Sequence, residues 1–146
     1  MKYIVSKMDD WDIVARAIVE RLTPGTIVTL SGPLGAGKTT LVQALARTLG
    51  VKRIPRSPTF SLVRSYRLPT TSSRLKQLVH VDAYRIEKGS DALALGLDEA
   101  LIVPGAVAVI EWPEQLRSFL KRFHGQKIEV TIDPEERTGV RRIRVT

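Results

Sequence analysis

The sequence predicts an α/β domain, a three-layer sandwich with helices on both faces of a mixed, mainly parallel central sheet. Three observations carry this expectation. Strand-like and helix-like stretches alternate along the 146 residues. Ile27-Val28-Thr29-Leu30 is an apolar run, and Ala106–Ile110 is short and continuously apolar, as in a strand buried on both faces. Several strand candidates adjoin with no helix between them, so the sheet cannot be wholly parallel.

In chain order, Tyr3-Ile4-Val5 reads as a short strand. Asp9 is placed to cap a helix running to about Leu22, with Trp11, Val14, Ala15, Ile18 and Leu22 on one face. Thr23-Pro24-Gly25 ends it. Ile27 to Leu30 is a strand and Leu41 to Leu49 a helix, with Gly50 where a C-terminal cap glycine belongs. Ile54 to Ser57 reads as a loop, because Pro58 disfavours a helix at Ser57. Thr59 to Leu68 and Gln77 to Ile86 read as strands around a turn at Pro69–Ser73. In the second of these, His80, Asp82 and Tyr84 alternate against Val79, Val81 and Ala83. Ser90 to Leu101 is helical, broken near Gly96. Pro113 opens a helix to about Arg122. Lys127–Asp133 and Val140–Thr146 form a C-terminal hairpin. The whole chain, 1–146, reads as one domain.

The stretch between the second strand and its helix carries the chemistry. Gly32-Pro33-Leu34-Gly35-Ala36-Gly37-Lys38-Thr39-Thr40 fills the pattern G-x-x-x-x-G-K-[ST], the phosphate-binding P-loop. Glycines let the backbone wrap a phosphate with its N–H groups pointing inward, and the following helix turns its positive end to the same anion. Lys38 then reaches the β- and γ-phosphates, and the Thr39 hydroxyl ligates Mg²⁺. The fold class sharpens to a P-loop NTPase sandwich with the loop at a central strand's carboxyl end.

Composition bounds the alternatives. Without cysteine there is no disulfide framework, thiolate metal site or thiol nucleophile. No apolar run approaches membrane-spanning length and none reads as a signal peptide, which leads us to expect a cytoplasmic protein. The net charge of +8 is uneven: residues 50–88 carry 9 Lys+Arg against 2 Asp+Glu, whereas 89–114 carry none against 5. The basic 50–88 segment is a candidate contact with nucleotide, RNA or an acidic protein, or simply a solvated surface.

A P-loop alone binds nucleotide; transfer or hydrolysis needs a metal partner and a group that orients the nucleophile. Asp82, on the polar side of its strand, and Glu111, ending the buried run Ala106–Ile110, are the candidate acids. Ser57 and Thr59 are placed to act as a switch sensing the γ-phosphate. Each has a plain structural alternative: an ion pair with Arg85 for Asp82, a rim salt bridge or helix cap for Glu111, an ordinary strand threonine for Thr59. His80 reads as a packed strand histidine before it reads as a general base, and Trp11 as a core anchor. Tyr84, Arg85 and Trp112 are open between packing, base binding and a partner surface.

Four segments stand in one order: the P-loop, Ser57-Pro58-Thr59-Phe60-Ser61-Leu62-Val63, His80-Val81-Asp82-Ala83-Tyr84-Arg85, and Ile110-Glu111-Trp112-Pro113-Glu114. Together they closely resemble the TsaE (YjeE) family, P-loop ATPases of bacterial tRNA threonylcarbamoyladenosine synthesis, from about Val5 to Leu120. The resemblance implies an ATPase that supports turnover by the TsaD and TsaB proteins without performing the transfer itself. It implies that Lys38 and Thr39 grip phosphate and Mg²⁺, that Thr59 lies in a switch-like loop, that Asp82 is the Walker-B-like acid and that Glu111 is a second acid near the metal. Pro33 and Ser61 depart from the family's commoner residues, at positions that grip no phosphate.

Three other functions share the P-loop. A small-molecule kinase needs an acceptor-binding insertion, and no loop here is long enough for a substantial one. A nucleotide-sensing module would bind ATP without essential hydrolysis. A GTPase is disfavoured by the lack of an N-K-x-D segment.

Overall fold

The computed structural model describes residues 1–53, 63–69, 74–86 and 96–146. The expected switch residues Ser57 and Thr59, the loop Ile54–Ser57, most of the turn after Pro69 and the first part of the Ser90–Leu101 helix lie outside the described residues.

Seven strands form one sheet. They are β1 (Lys2–Val5), β2 (Ile27–Ser31), β3 (Val63–Arg67), β4 (Gln77–Asp82), β5 (Ala106–Glu111), β6 (Lys127–Pro134) and β7 (Arg141–Val145), in the spatial order β1-β7-β6-β2-β5-β4-β3. The central strands β6, β2, β5 and β4 run parallel. The outer pairs, β1 with β7, β6 with β7 and β3 with β4, are antiparallel. The mixed, mainly parallel sheet read from the sequence is the observed one. β2 and β5 read as apolar runs because both faces are covered: their residues are buried almost throughout.

Helices α1 (Met8–Val19) and α2 (Lys38–Thr48) cover one face, with Trp11, Ile18, Leu41 and Leu45 buried against Val28, Leu30, Val109 and Val130. On the other face α3 (Leu97–Ile102), a 3₁₀ turn (Pro113–Leu116) and α4 (Arg117–Arg122) bring Leu97, Leu116 and Phe119 against Ile27, Val79, Val81 and Ile110. Alternate residues of β2, β5 and β4 therefore feed opposite layers.

Several boundaries differ from expectation, and at three of them the hydrogen bonds show a local reason. α1 begins one residue before Asp9, and the side chain that serves its start is Asp10. One carboxylate oxygen of Asp10 accepts the backbone N–H groups of Ser6 at 2.8 Å and Lys7 at 3.0 Å. The helix ends at Val19 rather than Leu22, because the chain tightens into i→i−3 bonds from Arg21 to Ile18 and Leu22 to Val19 ahead of Pro24. β4 stops at Asp82 rather than Ile86: the Asp82 carboxylate accepts the Tyr84 N–H at 3.1 Å, an Asx turn that takes the chain out of the sheet. The helix expected from Pro113 to Arg122 is split into its 3₁₀ and α parts. Gly50, by contrast, takes the left-handed cap conformation expected of it, with φ of 80°.

Asp10 gives a pH-dependent test of the first helix. Its two backbone donors, with help from the Ser6 hydroxyl and Lys7, hold its carboxyl below the ordinary range. A depressed carboxyl stabilises the fold above its unfolded-state value and loses that contribution as pH falls through the folded-state value. Asp10→Ala therefore lowers the melting temperature at neutral pH, and the gap to the unaltered protein narrows as the solution is acidified below about pH 4. A gap unchanged across that range, followed by calorimetry, would remove Asp10 from the cap.

Candidate active site

The parallel register brings the carboxyl ends of β2, β5 and β4 to one level, with Leu30 opposite Glu111 and Glu111 opposite Asp82. The loop 32–37 leaves β2 there and opens α2, whose first residue is Lys38. A cleft of about 310 Å³ lies between them. Its loop side is Leu34, Gly35, Gly37, Lys38, Thr39 and Thr40; its sheet side is Asp82, Tyr84, Glu111 and Trp112. All ten of these residues belong to the segments singled out from the sequence as the P-loop, H-V-D-A-Y-R and E-W-P-E motifs; Gly32, Pro33 and Ala36 shape the loop behind the lining. The α2 N-terminus, with its unpaired N–H groups and positive dipole end, faces the same space.

Gly32 and Gly37 meet a requirement beyond flexibility. A Cβ on Gly32 would stand 2.5 Å from the Ile132 carbonyl oxygen, and one on Gly37 would stand 2.6 Å from two ring atoms of Trp11. Trp11 is thus more than a core anchor: its indole is the surface on which the last glycine of the loop rests.

Lys38 is 5% exposed. Its ammonium donates to the carbonyl oxygens of Gly32 at 2.7 Å and Pro33 at 2.8 Å, so the lysine ties the loop to its own helix. The same nitrogen lies 3.8 Å from the centroid of the Trp112 ring, a cation–π contact. Burial pushes this ammonium below the usual lysine range, and the carboxylates of Glu111, Glu114 and Asp82 pull it back. Trp112 reaches that position by an unusual backbone. It is left-handed with φ of 61°, the single non-glycine residue of positive φ among the described residues, and it precedes a proline. Its ring also packs on Tyr84, with centroids 4.9 Å apart.

Glu111 is 2% exposed at the end of β5. It accepts the Thr39 hydroxyl, at 3.0 Å to Oε2 and 3.2 Å to Oε1. His80 Nε2 stands 2.8 Å from Oε1. The structure therefore joins Thr39, Glu111 and His80 directly and sets half-buried Asp82 at the neighbouring strand end. Glu111 is neither a rim salt bridge nor a helix cap; it is a buried carboxylate aimed at the P-loop threonine.

The matching family model is that of the threonylcarbamoyl adenosine biosynthesis protein TsaE, and it covers residues 5–143. The chain belongs to the TsaE family. Its relatives include the tRNA threonylcarbamoyladenosine biosynthesis protein TsaE of Bacillus subtilis strain 168, 33% identical over 90% of this chain and 84% of the relative. The TsaE protein of Nostoc sp. strain PCC 7120 is 45% identical over 66% of this chain and 58% of its own length. Among solved structures, the crystal structure of Bacillus subtilis YdiB superposes with a TM-score of 0.72 at 27% identity, covering 98% of this chain and 82% of that one. The TsaE likeness thus runs past Leu120, where the resemblance read from the sequence ends, into the C-terminal hairpin.

Sequence reasoning left three TsaE-site residues without a role. Trp11 sits under Gly37, Trp112 over Lys38, and His80 against Glu111. Only the last left a usable trace, since the spacing of His80 and Asp82 puts both on the face that Glu111 shares.

Proposed function

We propose that this protein is the Mg²⁺-dependent ATPase of the tRNA threonylcarbamoyladenosine machinery, binding and hydrolysing ATP to support turnover by TsaD and TsaB. The observation that supports it most is the Thr39–Glu111 hydrogen bond beside the Lys38 ammonium. A phosphate-gripping loop and a buried acid meet at one strand end, in a protein of the TsaE family.

The donor set fits Mg²⁺. Thr39 offers a hydroxyl and Glu111 and Asp82 offer carboxylates, all hard oxygens at the mouth of one cleft. Among the described residues no three His, Cys, Asp or Glu side chains cluster closely enough to hold a metal by themselves. That suits an ion shared with substrate phosphates. When bound, Mg²⁺ would neutralise phosphate charge. The protein's own groups do the rest. The loop amides and the α2 N-terminus bind the phosphate chain. Lys38 has two protons committed to Gly32 and Pro33, and turning them to a phosphate exchanges neutral acceptors for charged ones. Trp112 screens that ammonium from water. Glu111 and Asp82 orient the metal-side oxygens.

The exposed cations around β3, among them Arg64, Arg67, Arg74 and Lys76, support contact with an acidic partner or tRNA. No helix among the described residues is long and apolar enough to cross a membrane, which fits the cytoplasmic setting we propose.

The test is ATP hydrolysis with Mg²⁺, alone and with TsaD–TsaB, beside Lys38→Ala. Partner-stimulated turnover that the variant loses is the expected result. ATP binding without turnover in either condition would replace the ATPase with a nucleotide-sensing module, and stoichiometric phosphorylation of an acceptor would make it a kinase.

A further inference from the structure

We propose that His80 is a positioning residue that fixes the Glu111 carboxylate toward Thr39 and the metal-binding side of the cleft. This rests on the assignment of Thr39 and Glu111 as the metal-facing pair.

His80 lies on β4 opposite Val109, one same-face step deeper in the sheet than the Asp82–Glu111 pair. Its side chain is fully buried, and that of Glu111 nearly so. It therefore acts through Glu111 rather than on substrate. A carboxylate only accepts, so the 2.8 Å contact requires the proton on Nε2. Nδ1 is buried without a hydrogen-bond partner among the described residues. The ring therefore makes its contact through Nε2 alone, toward Glu111. Oε1 is anchored by the ring at 2.8 Å while the Thr39 hydroxyl lies across both oxygens, nearer Oε2, the arrangement by which an outer partner sets the direction of a ligating group.

Glutamine and asparagine separate positioning from packing. The glutamine amide nitrogen is as many bonds from Cβ as histidine Nε2 and can reach Oε1, whereas that of asparagine is one bond short. Binding of a fluorescent ADP analogue is measured against Mg²⁺ concentration, and again in EDTA. His80→Asn should raise the Mg²⁺ needed for half-maximal effect about ten-fold or more, with metal-free ADP affinity unchanged. His80→Gln should stay near the unaltered protein. Equal loss in both variants, or no change in either, overturns the proposal. Glu111→Gln, run in parallel, separates the levels. If it raises the Mg²⁺ requirement while His80→Asn does not, only the positioning role falls. If it too has no effect, the metal-facing assignment falls and the positioning role with it. A second readout needs no His80 variant. Nitrogen-15 NMR of the imidazoles should show a proton on His80 Nε2, and an Nε2 without one overturns the proposal. His124, exposed and the only other histidine, is assigned by His124→Gln.

Discussion

Lys38→Ala should lower ATP turnover by about two to three orders of magnitude, the usual cost of removing one preorganised charge from a phosphoryl-transfer site. The fold should survive the change. Lys38 already suffers from burial, as its lowered pKa shows, and the groups left behind are two carbonyl oxygens on a partly exposed loop. Its loss should appear where ligand couples to stability. At one hundred times its Kd, ADP stabilises a protein by about 2.7 kcal/mol, a rise in melting temperature that the variant should lack. Lys38→Met, which keeps most of the aliphatic stem against Trp112, should behave like alanine if charge is what matters. Lys38→Arg should fail as well, because a planar fork does not fit a slot bounded by two carbonyls at 2.7 and 2.8 Å and an indole face at 3.8 Å. A variant of Lys38 that still gained the full ADP-dependent rise in melting temperature would remove the lysine from the phosphate site.

What the sequence disclosed and what it hid divide along sequence separation. The loop 32–40 was legible because its chemistry is set by consecutive residues, whose spacing is itself the geometry. Glu111 and Asp82 were legible because strand alternation and a charge ending an apolar run are local patterns. The mixed, mainly parallel character of the sheet followed from buried runs and adjoining strands, whereas its strand order, set by contacts between distant segments, did not. The contacts that give these residues their environment were hidden. Trp11 and Gly37 are 26 positions apart, and His80 and Glu111 are 31 apart (separations read from their numbering), so no periodicity relates them. The ends of β4 and α1 were overextended because a period-two or period-3.6 pattern continued past the point where a side chain or a proline redirected the backbone. At Asp82 the same carboxylate that marks the site also ends the strand, through its bond to the Tyr84 N–H.

Gly37→Ala should be severely damaging, and Trp11 should be a large part of the reason. Two costs meet at this residue. Its φ of 110° lies outside the region alanine tolerates, at about 1–3 kcal/mol. Its new methyl would stand 2.6 Å from Trp11 Cη2 and Cζ2, and overpacking of that kind costs about 1–3 kcal/mol more. The sum is a large share of the about 5–15 kcal/mol that holds an ordinary domain together. It should lower the melting temperature by roughly 10 °C or more and weaken nucleotide binding, because the loop can relieve the clash only by lifting away from α1. The two costs can be separated. Trp11→Phe removes the outer indole ring atoms that the methyl would strike but leaves φ untouched. In the double variant the overpacking cost should vanish while the backbone cost stays. Gly37→Ala and Trp11→Phe should therefore combine to less than the sum of their separate effects, by about 1–3 kcal/mol. Strict additivity in denaturant unfolding would mean that backbone conformation alone keeps a side chain out of position 37. Non-additivity would show that the first helix, through one indole, sets the height of the phosphate-binding loop above the sheet.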